Sequence, residues 1–481
     1  MIWLAAFVVG SCGSLTSLII PNTSVTSAVS EATFCRVQAL AHPVEDSEIR
    51  VEVWLPPPDQ WNGRFLGTGN GGYSGALSTG PMQSALNSGY AVAGSDTGHQ
   101  GGDLKFGAGH PEKIIDWGYR AVHVMTETAK LVVRAYYGRF PDYSYFQGCS
   151  TGGHQALSEA QRFPADYDGI VAGAPGNNRV RLNVGFLWSW LALHADAASD
   201  VPPVKLPALN RAVIAACDAI DGIKDGLIAD PRRCTFDPQS MLCSGPDDDS
   251  CLTAPQVEAV RKIYKGAVNP RTGERLFAGW PRGSESPSQT PVGGWAAYFA
   301  GRPAPARVEF WRLWVFNDPT WEPTSFDFDR DVVYADAKMA AVAANDPDLA
   351  AFKKRGGRLL MYHGWADPVS PPEDGIRYYE SVGRAMGGIE KTADFFRLFL
   401  APGMDHCGGG PGPNMFDALG ALDQWVSAGV APGKIIATHL TEGNIDRTRP
   451  LCPYPQVARW KGTGSTDDAD SFVCAAETPV R

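Results

Sequence analysis

Tyr143-Ser144-Tyr145-Phe146-Gln147-Gly148-Cys149-Ser150-Thr151-Gly152-Gly153 is the stretch on which the fold turns. Residues 143–147 are short and aromatic, the composition of a buried strand. Residues 153–163 carry Ala156, Leu157, Ala160 and Phe163 at helical spacing. A serine caught on a tight strand-to-helix turn is forced out of the sheet, which exposes its hydroxyl. Glycines must flank it, because a Cβ there would run into the neighbouring strand and helix. The N–H groups and positive dipole end of the following helix suit a developing oxyanion. Gly-x-Ser-x-Gly by itself is a weak pattern; the strand before it and the helix after it make it a nucleophile elbow.

Outward from the elbow the chain keeps alternating strand and helix. Upstream, 117–137 is an amphipathic helix, with Ala121, Val124, Met125, Ala129, Val132 and Val133 as its apolar stripe. A strand at 90–94 leads to Ser95-Asp96-Thr97-Gly98-His99, read as a hydrogen-bonded turn supporting the site rather than as catalytic groups. A strand at 64–66 runs into Gly67-Thr68-Gly69-Asn70-Gly71-Gly72-Tyr73-Ser74-Gly75, where hydrolases of this build keep one oxyanion donor; Gly71 and Gly72 are the candidates. No Gly-Lys-Ser/Thr follows, so a phosphate-binding loop is set aside. Residues 47–56 alternate as Ile49, Val51, Val53 and Leu55, which predicts an exposed-edge strand.

Downstream, 169–172 is another strand, and the pattern then stops. Residues 177–345 are rich in tryptophan, proline and glycine without sheet rhythm, as in an inserted lid. Strands resume at 357–362 and 395–400, followed by a helix at 418–426 and a tail at 452–474. The expected architecture is α/β, an α/β-hydrolase fold with a large inserted lid. Its segments are a leader at 1–30, a first core part at 31–176, the lid at 177–345 and a second core part with a stapled tail at 346–481.

A serine hydroxyl needs a base, and the base needs an orienting carboxylate. The strand ending at Tyr362 delivers His363-Gly364-Trp365-Ala366-Asp367, an aspartate just past a core strand. The next strand delivers Met404-Asp405-His406-Cys407-Gly408. The chain order Ser150, Asp367, His406 is the α/β-hydrolase order. Asp405 is the alternative acid, but a side chain rarely reaches the ring of its own sequence neighbour. Cys149 precedes the serine and Cys407 follows the histidine, so a meeting of Ser150 and His406 positions the two cysteines to bond. In the loop-entropy model a bridge across so long a loop contributes ~5 kcal/mol before strain is subtracted.

The 481 residues are 44% hydrophobic and 20% charged, with a net charge of −10, which argues against nucleic acid or an anionic membrane as partner. Residues 2–9 form a short apolar run, too short for a membrane span and similar to the core of a secretory signal. Ala28-Val29-Ser30 would serve as a cleavage site. Val9-Gly10-Ser11-Cys12 passes loosely for a lipoprotein box, which would anchor a lipid at Cys12; simple export, secreted or periplasmic, is favoured. Ten cysteines in an exported chain point to disulfides. Local pairings are Cys217–Cys234, Cys243–Cys251 and Cys452–Cys474, leaving Cys35 odd unless Cys12 is retained.

Within 217–228, three aspartates and two Asp-Gly turns, closed by Cys234, form an acidic loop suited to a hard cation. Calcium takes 6–8 oxygens at roughly 2.3–2.6 Å. Asp218, Asp221 and Asp225, with the Ile223 and Leu227 carbonyls, would supply them. The spacing is not that of an EF-hand, and the ion's role would be structural, in the lid.

The elbow, Asp367, the His406-Cys407 pair and the Cys217–Cys234 loop together resemble the tannase and feruloyl esterase family over nearly the whole chain after the leader. That resemblance implies Ser150 as nucleophile, His406 as base, Asp367 as acid, a Cys149–Cys407 disulfide and calcium on the acidic loop. It implies the Thr151 N–H and a loop glycine as oxyanion donors, and no organic cofactor. The implied substrate is a small ester of an aromatic acid (ferulate, p-coumarate, gallate or a terephthalate monoester), free or linked to a plant polymer. Trp188, Trp190, Trp295, Tyr298, Phe299, Trp311, Trp314 and Trp321 are the lid aromatics available to clamp it. A serine peptidase on the same fold is the alternative, separable by chromogenic peptides. A calcium-stabilised module that binds phenolics without turnover is a second, and an intact triad speaks against it.

Overall fold

The computed structural model describes residues 10–286 and 293–476, and the chain divides into two compact units. The first comprises residues 1–177, 341–359 and 426–429; the second comprises 178–340, 360–425 and 430–481.

The first unit is a sheet covered by helices. Its strands are β1 (Thr23–Ser30), β2 (Cys35–Ala41), β3 (Ile49–Leu55), β4 (Arg64–Thr68), β5 (Ala91–Ser95), β6 (Tyr143–Cys149) and β7 (Gly169–Gly173), in the spatial order β1-β2-β3-β5-β4-β6-β7. The first three pair antiparallel and join β5 antiparallel; β5, β4, β6 and β7 are parallel. Parallel strands need crossover helices, which cover both faces and make the strands apolar throughout. Accordingly β5 and β7 are buried at every position. The helix Ala121–Tyr137 packs its predicted stripe inward, with Met125, Ala129, Val132 and Val133 fully buried.

Two expectations about the N-terminal region change. The strand at 47–56 is not at an edge: β3 lies between β2 and β5, and both its faces are covered. Its polar Glu52 is buried because Arg36, Gln38 and Trp54 all donate to its carboxylate. The edge is β1, a strand that runs through the proposed cleavage site at residues 28–30 and pairs with β2. Cys12 is bonded to Cys35, which takes its thiol out of reach of a lipid anchor and gives Cys35 its partner. The apolar run at 2–9 lies outside the described residues.

The second unit holds the tryptophan-rich segment, whose aromatic side chains pack on one another, and two sheet strands, β8 (Arg358–Gly364) and β9 (Phe396–Ala401). β8 begins in the first unit, where the Arg358 N–H bonds the Asp168 carbonyl at 3.0 Å. The tail forms two hairpins, β10 (Ile435–Thr441) with β11 (Asn444–Leu451) and β12 (Gln456–Trp460) with β13 (Phe472–Ala476). The three local disulfides are as expected: Cys217–Cys234, Cys243–Cys251 and Cys452–Cys474. No helix among the described residues is long and apolar enough to cross a membrane.

Candidate active site

In the first unit, β6 ends at Cys149 and the helix Thr151–Arg162 begins one residue later, leaving Ser150 alone on the turn. Its backbone sits at φ 64°, ψ −117°, a conformation that non-glycine residues adopt only where the surroundings impose it. The surroundings do so. The Ser150 N–H donates to the Gly173 carbonyl at 2.9 Å, and its carbonyl accepts from the His154 N–H at 3.0 Å. The glycines let the backbones close up: a Cβ on Gly148 would stand 2.6 Å from Gly152, and one on Gly153 would stand 2.2 Å from the Gly173 carbonyl oxygen.

The Gly67–Gly75 loop is tied to this elbow by bonds that sequence reading did not anticipate. The Thr151 hydroxyl donates to the Gly72 carbonyl at 2.7 Å, and the Trp117 indole reaches the same oxygen at 3.4 Å. Gln155, fully buried, accepts the Asn70 N–H at 3.0 Å, while Asn70 Nδ2 donates to the Ala76 and Ser95 carbonyls. With its carbonyl held this way, Gly72 takes φ 57°, open to glycine at no steric cost. The Gly71 and Gly72 N–H groups donate to no partner among the described residues. The one sequence signal for this arrangement is a glutamine on the buried face of the elbow helix. Asp96 and His99 form the expected turn: Asp96 Oδ1 accepts the Arg50 and Gly98 N–H groups, and His99 Nε2 faces the Tyr73 carbonyl at 2.9 Å. Burial pushes the Asp96 carboxyl up to about 6.

In the second unit, the loops after β8 and β9 are joined by main-chain bonds, Trp365 N–H to the Ala401 carbonyl (2.9 Å) and Ala366 N–H to the Met404 carbonyl (3.0 Å). They bring His406 Nδ1 to 2.7 Å from Asp367 Oδ2. The other carboxylate oxygen, Oδ1, accepts the Val369 and Ser370 N–H groups at 2.7 and 2.9 Å. Asp367 is fully buried and stays satisfied by these three donors. A carboxylate on Nδ1 fixes the proton there, so His406 presents a bare Nε2, and that atom is buried with no hydrogen-bond partner among the described residues. Asp367, not Asp405, is the carboxylate on His406 Nδ1. Beside the pair lies His363, fully buried, whose imidazole is pushed down to about 4 by burial, with Asp367 opposing and His406 adding to the shift.

The acidic loop folds as a series of side-chain-capped turns. Asp218 Oδ1 accepts the Asp225 and Gly226 N–H groups at 3.0 Å, Asp221 Oδ1 accepts that of Ile223, and Asp225 Oδ1 that of Leu227. One oxygen each of Asp218 and Asp221 and the carbonyls of Ile223 and Leu227 carry no hydrogen bond among the described residues. That donor set, all oxygen and partly anionic, fits a hard cation completed by water. Among the described residues the one group of three metal-type side chains within 4.8 Å of one another is Cys243, Asp247 and Cys251, whose sulfurs are bonded to each other. Of the aromatics offered as a clamp, Trp190, Trp295, Phe299, Trp311, Trp314 and Trp321 are buried; Trp188 and Tyr298 are half-buried. Cys149 and Cys407 are both in disulfides, and no cysteine is free.

Similarity to known proteins gives the family. The family model described as tannase and feruloyl esterase matches residues 35–475. The chain is 39% identical to an uncharacterized esterase of Xanthomonas campestris, over 96% of this chain and 91% of that protein. It is 36% identical to the mono(2-hydroxyethyl) terephthalate hydrolase of Piscinibacter sakaiensis, over 89% and 81%. The crystal structure of feruloyl esterase B from Aspergillus oryzae superposes with a TM-score of 0.89 at 30% identity, covering 96% of this chain and 99% of that one. The chain therefore belongs to the tannase and feruloyl esterase family and is a carboxylic ester hydrolase with the α/β-hydrolase fold.

Proposed function

We propose that the chain is an exported serine esterase that cleaves esters of aromatic carboxylic acids through an acyl-enzyme. Ser150 Oγ attacks the ester carbonyl while His406 Nε2 takes its proton. The tetrahedral oxyanion is held by the Thr151 N–H and by Gly71 or Gly72. His406 then returns the proton to the departing alcohol, leaving Ser150 acylated. Water, deprotonated by His406, attacks the acyl group, the aromatic acid leaves, and the proton goes back to Ser150.

The observation that carries this reading is the buried His406–Asp367 pair with its bare Nε2, in a chain whose elbow serine is held at positive φ. In this proposal a Cys149–Cys407 bridge joins base to nucleophile. The aromatic acyl group is supported by relatives named for ferulate and terephthalate esters, and Tyr298 and Trp188 are the lid aromatics left accessible to touch it. Calcium on Asp218, Asp221, Asp225 and the Ile223 and Leu227 carbonyls holds the lid loop closed and takes no part in the steps above.

The test is hydrolysis of methyl ferulate, methyl p-coumarate, methyl gallate and mono(2-hydroxyethyl) terephthalate by the wild-type and Ser150→Ala proteins. Turnover of at least one ester, lost in the variant, is expected. Full activity in Ser150→Ala would refute the mechanism, and turnover confined to chromogenic peptides would replace the esterase with a peptidase.

A further inference from the structure

Asp225 is a buried carboxylate gripped by two arginines of the tail. Its Oδ2 accepts from Arg449 Nη2 at 2.6 Å, and its main-chain carbonyl accepts from Arg447 Nη2 at 3.0 Å. The side chains of Arg449 and Asp225 are 2% and 3% exposed. Both arginines come from β11 two positions apart, which puts them on the same face of the strand. Their other bonds fix them independently of the loop. Arg449 also donates to the Thr466 carbonyl at 3.0 Å and lies 4.1 Å over the Phe472 ring of β13, and Arg447 Nε is held by Asp467 at 2.7 Å. The residue after β11, Cys452, is bonded to Cys474 within β13.

Charge bookkeeping gives this contact a meaning. Asp218, Asp221 and Asp225 bring three negative charges and the buried Arg449 one positive charge; Lys224 of the loop is exposed to water and Arg447 is paired with Asp467, so the inward side chains are left two charges short, the charge of one divalent cation.

We propose that Arg449 is a resident counter-charge of the cation loop: it holds the Asp225 side chain in place when no metal is bound, and by doing so weakens the loop's hold on calcium. The proposal rests on the calcium reading above. Removing Arg449 leaves Asp225 buried and unpaired in the metal-free protein, which is costly. In the metal-bound protein the cation supplies the missing charge. The substitution thus destabilises the metal-free state more than the bound one, and by linkage the affinity for calcium rises. Removing a positive charge from the rim of the site acts in the same direction. The loop keeps its shape, since its turns are capped by its own aspartates rather than by Arg449.

The experiment uses the full-length protein, stripped with chelator and titrated with calcium chloride, with calorimetry for Kd and thermal melts for Tm. Arg449→Met, Arg449→Gln (which retains a donor for Asp225 without the charge) and Arg449→Lys are compared with wild type. Met and Gln are expected to melt lower than wild type in chelator and to bind calcium at least tenfold more tightly, about 1.4 kcal/mol. Lys is expected to behave as wild type in affinity. If Arg449→Met does not fold without metal, Arg449→Gln decides. Calcium binding in wild type with equal or weaker binding in Arg449→Gln overturns the counter-charge alone. No calcium binding in any of the four proteins overturns the calcium reading and the counter-charge with it.

Discussion

His363 sets a stability limit on the acid side. It is fully buried on β8, neither ring nitrogen has a partner among the described residues, and the helix Pro372–Ala385 packs so closely that a Cβ on Gly375 would stand 2.3 Å from its Nε2. Burial pushes its imidazole down to about 4 from the ordinary 6.5. A base whose folded value is depressed contributes its full stability above the unfolded value and loses it as pH falls. Below pH 6.5 the unfolded chain takes up a proton that the folded protein refuses until about pH 4. Integrated over that window, the loss between pH 7 and pH 4 is about 3 kcal/mol, at 1.36 kcal/mol per unit. Replacing the imidazole by an apolar side chain of similar size, His363→Leu, removes this contribution. Urea unfolding followed by tryptophan fluorescence at pH 7, 5.5 and 4 measures it. Both proteins lose stability on acidification through their carboxylates, but the wild type is expected to lose about 3 kcal/mol more than the variant. Equal slopes in the two proteins would show that His363 is already solvated or paired, and would refute the reasoning.

Asp367→Asn is expected to lower kcat by roughly 10⁴-fold with little change in KM, the effect of a wrong-tautomer histidine in the Ser-His-Asp template; steady-state kinetics on the ester that turns over best would show it. Gly153→Ala places a methyl group 2.2 Å from the Gly173 oxygen and 2.9 Å from Pro175 Cα, both backbone atoms at the end of β7. Overpacking of this kind costs about 1–3 kcal/mol, so a lower denaturation midpoint and a lower kcat are expected together, and a variant with wild-type values in both would count against a rigid elbow.

The elbow, the strands around it and the Asp367–His406 pair were legible because they follow short-range rules. A serine between glycines, with an apolar strand before and a helical stripe after, has few other places to go, and an aspartate or histidine just past a buried strand reports its own location. The local cysteine pairs 217–234, 243–251 and 452–474 were legible for the same reason, since closing a short loop costs little entropy. β1 was not. Thr-Ser-Val-Thr-Ser-Ala-Val-Ser has small polar residues on both faces and becomes a strand through its ladder with β2 rather than through any apolar face of its own. The interior place of β3 escaped notice for a related reason: Glu52 reads as a solvent position until Arg36, Gln38 and Trp54 converge on it.

The amino-acid sequence by itself thus placed the elbow serine and the Asp367–His406 pair, because both sit where local backbone rules put them. Tertiary structure alone decided what holds them. Gln155 and Trp117 reach the Gly67–Gly75 loop, Cys12 reaches Cys35, and Arg449 reaches Asp225 across separations at which residue order says nothing about distance. Each of these contacts satisfies a polar group or closes a bond whose partner is specified only once the sheets and hairpins have packed.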